Sequence, residues 1–151
     1  MRKSSILLAV VLAGVSVGAV AQGDPALLRS RLMSAMWQEG LSTLNRMGRG
    51  QEPYNKEAAE RALARVSEIA AQLPPLWPPG STVSNPASRY ASSPKVWENK
   101  ADFDARLARL PTVVAENRGK AGAGAEGARD AFQAVNTYCD SCHDVYRVRV
   151  R

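Results

Sequence analysis

The two cysteines and the single histidine of this chain all lie between Cys139 and His143. Two cysteines exclude a secreted fold held by several disulfide bonds, and one histidine excludes a zinc finger with two cysteines and two histidines. A hydrolase with a Ser-His-Asp triad would have to use His143 as its base. A domain of this length is large enough to form a core that is stable without disulfides.

The first 21 residues have the pattern of a secretory signal peptide. Basic residues at positions 2 and 3 precede an apolar run of about 15 residues, which ends in the small-x-small sequence Ala19-Val20-Ala21. The run is shorter than the roughly 20 residues that a transmembrane helix needs, and an uncleaved anchor is the alternative. We predict that residues 1–21 are cleaved and that residues 22–151 form one domain in the bacterial periplasm.

Cleavage removes two of the 20 basic residues, which leaves 18 against 14 acidic residues and lowers the net charge from +6 to +4. This mild charge does not suggest a nucleic-acid-binding protein, and export argues further against one. No second apolar segment of spanning length follows in the sequence. We therefore expect no stable insertion of the mature protein into a membrane.

Helical periodicity dominates the mature chain, and we find no alternation typical of strands. The pattern predicts four helices. The first covers residues 25–47 with Asp24 as its N-cap, and the second is capped by Asn55 and ends before Pro74-Pro75. The third begins at Ser93-Pro94 and is kinked or broken by Pro111, and the fourth covers residues 128–149. Residues 119–127 read as a flexible glycine-rich link. The fold class is predicted to be all-α, an antiparallel up-down-up-down four-helix bundle.

Residues 74–94 hold six of the nine prolines and are not predicted to be helical. A connection of about 20 residues is unusually long for a helix bundle, so we expect it to be functional or to cover part of the core.

The sequence Cys139-Asp140-Ser141-Cys142-His143 is a C-x-x-C-H motif, the attachment pattern for c-type haem. Thiols three residues apart are neighbours on a helix turn and both reach one porphyrin, while the adjacent imidazole points at the iron. Three alternatives are a thioredoxin-like pair, which expects a βαβ context, a disulfide over a very small loop, and a zinc site that needs a fourth ligand from elsewhere. We predict one covalently bound haem c with its iron.

On the last helix of an exported four-helix chain, C-x-x-C-H-x-x-Y-R resembles the class II c-type cytochromes, the cytochrome c prime family. Three further matching segments extend the resemblance over nearly the whole mature chain: Arg29-x-x-x-Met33, Gly50-Gln51-Glu52-Pro53-Tyr54 and Ser93-Pro94-Lys95-Val96-Trp97. The resemblance implies one of two functions. In low-spin members a methionine of the first helix ligates the iron and the protein carries electrons, whereas five-coordinate members bind nitric oxide or carbon monoxide. Residues 89–97 are more similar to the low-spin members.

The resemblance implies that His143 is the proximal iron ligand and Met33 the distal one. Met33 and His143 each lie about eight residues, or roughly 12 Å, from one end of their helices, which puts them at similar heights if those helices are antiparallel neighbours. Met36 is the alternative ligand, and both methionines are otherwise ordinary core residues. Arg29 either pairs with a haem propionate or is an exposed charge.

Arg147 either lies near the proximal imidazole or a propionate, or is a cation that favours the helix C-terminus. The Pro-rich loop is expected to cover part of the haem through Trp77 or Tyr90.

The function expected from these features is that of a periplasmic monohaem electron carrier, not an enzyme. Its partners would be periplasmic redox proteins, and the mild positive charge favours acidic ones. The resemblance leaves a monomer and a homodimer formed through the first two helices open. The alternative function is that of a five-coordinate cytochrome c prime, in which the sixth position of the iron is open to nitric oxide or carbon monoxide.

Overall fold

The computed structural model describes residues 24–81 and 88–150. The predicted signal peptide and the prediction for residues 82–87 of the Pro-rich loop lie outside the described residues. None of the helices in the described ranges is long and apolar enough to cross a membrane.

Four long helical segments form the bundle. The first consists of α1, a π-helical segment and α2 without interruption, the second is α3, the third is α5 and the last is α6. Their bounds are α1 Pro25–Ala35, the π-helical segment Met36–Leu41, α2 Ser42–Gly48, α3 Lys56–Ala70, α5 Lys100–Ala121 and α6 Ala125–Tyr146. A 3₁₀ turn, Pro74–Leu76, and the short helix α4, Lys95–Glu98, lie in the long connection between α3 and α5.

The four segments pack as a ring in chain order, which confirms the four-helix bundle. The π-helical segment packs on α3, α3 on α5 and α5 on α6, while α2 packs on α6 and closes the ring. The core at its centre contains fully buried side chains from all four segments: Leu44, Met47, Leu63, Val66, Ile69, Val114 and Val135. Burial of these apolar side chains is the main force that holds the bundle together.

Two predicted helix starts are confirmed by their caps. The carboxylate of Asp24 accepts a hydrogen bond from the Ala26 amide at 2.8 Å, and Pro25 occupies the first helical position. The side chain of Asn55 accepts a hydrogen bond from the Ala58 amide at 2.8 Å. Each cap satisfies an amide that the first turn of a helix leaves without a partner.

The third helix differs from its prediction at both ends. Asn99 leaves the helical conformation between α4 and α5, so the helix predicted from Ser93-Pro94 is two helices. Pro111 does not break α5, which continues to Ala121 because Val113 and Val114 bury the following turn in the core. The predicted glycine-rich link shrinks to Gly122–Gly124, since glycines at both of its ends are helical.

The predicted fourth helix ends earlier than expected and is followed by a strand. Residues Arg147–Arg149 form β2, which pairs antiparallel with β1, Tyr90–Ser92, in the register Tyr90 to Arg149. The prediction that the helix continues to residue 149, and that the chain has no strands, was therefore wrong. The physical reason is the pairing itself: backbone groups that would extend the helix bond instead to the loop, as when Val150 donates to the Arg89 carbonyl at 2.9 Å.

Candidate functional site

A cavity of about 560 Å³ lies between the first bundle segment and α6. The long connection and α5 supply its remaining walls, so four parts of the chain that are distant in sequence meet there. Its volume falls in the range of cavities that hold organic cofactors. Its apolar lining includes Met33, Met36, Trp37, Leu41, Trp77, Phe103, Leu107, Leu110 and Tyr146.

Cys139, Cys142 and His143 all line this cavity from one side, because their spacing puts them on neighbouring positions of α6. Both cysteines are free thiols and partly buried. Burial, with a smaller contribution from Asp140, raises the pKa of the Cys139 thiol to about 11. Burial also raises the pKa of the Cys142 thiol, and the nearby Arg106 opposes that effect.

Reactive redox cysteines have a lowered pKa and attack as thiolates, whereas burial raises the pKa of both thiols here. The disulfide alternative is not observed, since both thiols are free. No group of three or more His, Cys, Asp and Glu side chains within residues 24–81 and 88–150 is arranged to hold a metal ion.

His143 is partly buried at the cavity wall, next to the two thiols. Burial and then the positive charge of Arg147 lower the pKa of its imidazole, so the neutral form is favoured at neutral pH. Neutral imidazole is the form that donates a lone pair to iron.

Met33 and Met36 both line the cavity from the first bundle segment. Met33, in α1, is partly buried, whereas Met36 is only 4% exposed and belongs to the hydrophobic core. Met47 is fully buried and is not part of the lining. Two thioethers, which are soft ligands suited to iron, are therefore available to the cavity from the described residues.

Arg29 is buried, with 5% of its surface exposed, so the interpretation as an exposed charge was wrong. Its guanidinium group donates to the Leu76 carbonyl at 2.9 Å, to the Ser81 hydroxyl at 3.1 Å and to the Ser81 carbonyl. It also lies 5.7 Å from the centre of the Trp77 ring and lines the cavity. Burial lowers the pKa of this guanidinium, and the nearby Asp24 opposes that effect. Pairing with a propionate stays a prediction.

Arg147 begins β2 directly after the end of α6 and also lines the cavity. Its guanidinium carbon lies 4.6 Å from the centre of the Tyr90 ring, a cation–π contact that connects the two strands. Its positive charge also lowers the pKa of the His143 imidazole. Contact with a propionate stays a prediction.

Trp77 and Tyr90 of the Pro-rich connection both line the cavity. Trp77 is buried, donates from its indole nitrogen to the Ser92 hydroxyl at 3.1 Å, and meets the Phe103 ring edge-on at a centroid distance of 4.9 Å. The connection therefore forms one wall of the cavity, as expected of a loop that covers part of a bound group.

Sequence analysis missed a polar cluster at the α5 side of the cavity. The Tyr146 hydroxyl donates to the Asp102 carboxylate at 2.5 Å, and Arg106 donates to the same carboxylate at 2.7 Å. Hydrogen bonds from Tyr146 first, and then from Arg106, lower the pKa of Asp102. The i,i+4 spacing of Asp102 and Arg106 is typical of a surface ion pair, but no sequence pattern indicates that Tyr146 contacts this pair.

The residues that meet at the cavity fit a covalently attached haem. The apolar walls suit a porphyrin, two free thiols adjoin an imidazole whose neutral form is favoured, and cations at positions 29 and 147 belong to the lining. Cys139 and Cys142 would hold the porphyrin and His143 the iron.

Comparison with known proteins gives consistent results. A family model described as Cytochrome C′ matches residues 24–147. Over its full length the chain is 30% identical to cytochrome c-555 of Bradyrhizobium diazoefficiens, all of which is covered. Among solved structures, cytochrome c′ from Rhodopseudomonas palustris has a TM-score of 0.75 at 24% identity, with 86% of this chain and 100% of that chain covered. A nitric oxide complex of a mutant cytochrome c prime from Alcaligenes xylosoxidans has a TM-score of 0.68 at 21% identity, with 81% and 91% covered.

Proposed function

Since the chain belongs to the cytochrome c′ family, we propose that it is a periplasmic electron carrier with His143 and Met33 as the iron ligands. The protein is a monohaem c-type cytochrome with one covalently bound haem c. When bound, the haem supplies a one-electron couple between ferric and ferrous iron. The proposal assigns the thioether bonds to Cys139 and Cys142.

The observation that carries the proposal is the position of Met33. Its thioether belongs to the wall supplied by α1, whereas His143 and the two thiols belong to the wall supplied by α6. Methionine as the second axial ligand raises the reduction potential and leaves no position for a substrate or gas. Met36 is less suited, because it is packed in the hydrophobic core.

The rest of the lining serves binding and exclusion of water. The Phe103 and Trp77 rings and the leucines of α5 keep the pocket apolar, which tunes the potential of the bound iron. Arg29 holds the covering connection through Leu76 and Ser81. We propose no enzymatic activity.

A pair of matched variants tests the axial ligand. Met33→Leu and Met36→Leu are nearly volume-conserving, so both should fold. We expect the ferric wild-type protein and Met36→Leu to be low-spin with the methionine–iron charge-transfer band. Met33→Leu should be high-spin and should bind carbon monoxide when reduced. The measurement is the absorption spectrum of each of the three purified holoproteins.

A high-spin spectrum of the wild-type protein would instead support the second candidate function, reversible binding of nitric oxide or carbon monoxide. The observation behind that candidate is that solved structures of the same fold include cytochromes c′, one of them a nitric oxide complex. If Met36→Leu loses the charge-transfer band and Met33→Leu keeps the wild-type spectrum, the iron ligand is Met36 and not Met33.

Export and assembly are part of the proposal. The signal peptide over residues 1–21 lies outside the described residues and rests on the pattern of its sequence. A mature chain that begins at Gln22 and carries one haem would confirm it by mass spectrometry. A homodimer formed through the first two helices stays a prediction, which sedimentation equilibrium of the holoprotein tests.

A further inference from the structure

One turn of α5 forms hydrogen bonds to α6 before, within and after the C-x-x-C-H motif. The hydroxyl of Tyr138, directly before the motif, donates to the Arg106 carbonyl at 2.7 Å. Within the motif, the Ser141 carbonyl accepts a hydrogen bond from the Arg106 guanidinium at 3.3 Å. After the motif, the Tyr146 hydroxyl donates to the Asp102 carboxylate at 2.5 Å. Two residues of α5 therefore hold the part of α6 that would carry the haem.

Asp102 and Arg106 carry opposite charges and are bonded to each other. Arg106 Nε lies 2.7 Å from a carboxylate oxygen of Asp102. Hydrogen bonds from Tyr146 and from Arg106 hold the pKa of Asp102 below its usual value, so the carboxylate is ionised at neutral pH. The two side chains are 52% and 35% exposed, and ion pairs as accessible as this one contribute little to stability. Fold stability alone therefore gives little reason for this pair.

The two charges differ in their access to the cavity. Arg106 belongs to the cavity lining, as do Cys142, His143 and Tyr146, whereas Asp102 does not. The guanidinium carbon of Arg106 lies 5.8 Å from the centre of the Tyr146 ring, and Tyr146 follows His143 by three residues in α6. The positive charge therefore borders the cavity next to the wall supplied by α6, and the negative charge lies outside the lining.

Two other ion pairs of α5 lack this placement. Lys100 lies 2.5 Å from Asp104, and Arg109 lies 3.0 Å from Glu116. None of these four described residues lines the cavity. They show that the same kind of charge pair occurs on α5 without access to the candidate haem site, and they supply a matched control.

We propose that Asp102 and Arg106 set the reduction potential of the bound haem through opposed charges. Arg106 raises the potential, and Asp102 lowers it by partly cancelling the charge of Arg106. The physical reason is that oxidised haem carries one more positive charge than reduced haem, so a nearby cation favours the reduced state and a nearby carboxylate favours the oxidised state. Asp102 is also a positioning residue, since it holds both Arg106 and Tyr146. The proposal deepens the electron-carrier function and rests on it.

The test compares the reduction potentials of purified holoproteins, measured by spectroelectrochemical titration. Asp102→Asn and Arg106→Gln each remove one charge, and the double variant removes both. Asp102→Asn keeps an oxygen that can accept the hydrogen bond from Tyr146, and Arg106→Lys keeps the positive charge. The matched controls Glu116→Gln and Arg109→Gln remove the same charges from the ion pair of α5 that does not line the cavity.

We expect Asp102→Asn to raise the potential, because the charge of Arg106 is then uncompensated, and Arg106→Gln to lower it. Each should change the ratio of reduced to oxidised protein at a fixed electrode potential by about threefold. The double variant should lie between the two single variants, and Arg106→Lys should stay close to the wild-type protein. Both controls should change the ratio by less than about 1.5-fold, and added salt should reduce all of these shifts.

Shifts of Asp102→Asn and Arg106→Gln in the same direction would overturn the proposal, because lost contacts with α6 and not charge would then explain them. Control shifts as large as those at the ion pair would also overturn it, since net charge would be sufficient. If Arg106→Gln yields too little holoprotein, Asp102→Asn decides the sign, and an unchanged or lowered potential contradicts the proposal. The potential of a five-coordinate haem is equally measurable, so failure of Met33 as the ligand is detected separately by the absorption spectrum.

Discussion

Arg29 keeps its guanidinium group inside the protein, against the connection that covers the cavity. Its donors are used by the Leu76 carbonyl and by Ser81, which lie 47 and 52 residues away in the sequence. A buried cation in a helix is stable only when such partners replace its lost hydration. Arg29 therefore lines the cavity and also holds the covering connection in place through its hydrogen bonds.

Replacing this arginine tests its structural role. Arg29→Ala should lower the free energy of unfolding by about 2–3 kcal/mol, because hydrogen bonds from a charged group are lost and the Leu76 carbonyl is left buried without its donor. Arg31→Ala, at an exposed position of the same helix, should change it by less than about 0.5 kcal/mol. Denaturant unfolding of the oxidised holoproteins makes the comparison. Equal effects of the two substitutions would contradict the anchoring role.

At the scale of the elements, close approach between helices depends on glycine. Gly127 in α6 lies against the end of α5, where an added Cβ would be 2.1 Å from the Lys120 carbonyl oxygen. Gly48 in α2 lies against Arg129 of α6, where an added Cβ would be 2.6 Å from Arg129 Cβ. Helix propensity alone would favour alanine at both positions, so packing outweighs propensity there.

Two glycine substitutions separate packing from propensity. Gly127→Ala should lower the free energy of unfolding by about 1–3 kcal/mol, since the backbone at Lys120 must move. Gly119→Ala lies within α5 with no neighbouring atom in the way, and it should raise that free energy by about 0.5–1 kcal/mol. Thermal and denaturant unfolding of both variants measure the difference. A stabilising Gly127→Ala would show that the two helices adjust without cost.

At the scale of the whole molecule, α1 has little support from other helices among the described residues. It packs mainly on the adjoining π-helical segment and on the turn Pro74–Leu76, and only Ala26 and Arg29 are buried in it. The segments α2, α3, α5 and α6, in contrast, pack against one another around the core. A haem bound between α1 and α6 would therefore complete the packing of α1.

Loss of haem attachment should affect α1 before the rest of the bundle. In a Cys139→Ser/Cys142→Ser variant purified without haem, backbone amides of α1 should exchange with deuterium at least about tenfold faster than in the holoprotein, whereas those of α3 should change far less. Hydrogen–deuterium exchange by mass spectrometry resolves the two helices. Equal loss of protection in α1 and α3 would indicate that the haem stabilises the bundle as one unit.

The sequence alone was sufficient for features with short-range causes. The apolar periodicity, the Asp24 and Asn55 caps and the C-x-x-C-H spacing depend on neighbours within a few residues, so the bundle and the cysteine–histidine face of α6 could be predicted. Tertiary structure decided the features that join distant residues. These are the pairing of β1 with β2, the burial of Arg29 and the hydrogen bond from Tyr146 to Asp102, whose partners lie 44 or more residues apart. They form because the packed core brings together backbone and charged groups that need hydrogen-bond partners. No local sequence pattern contains that information.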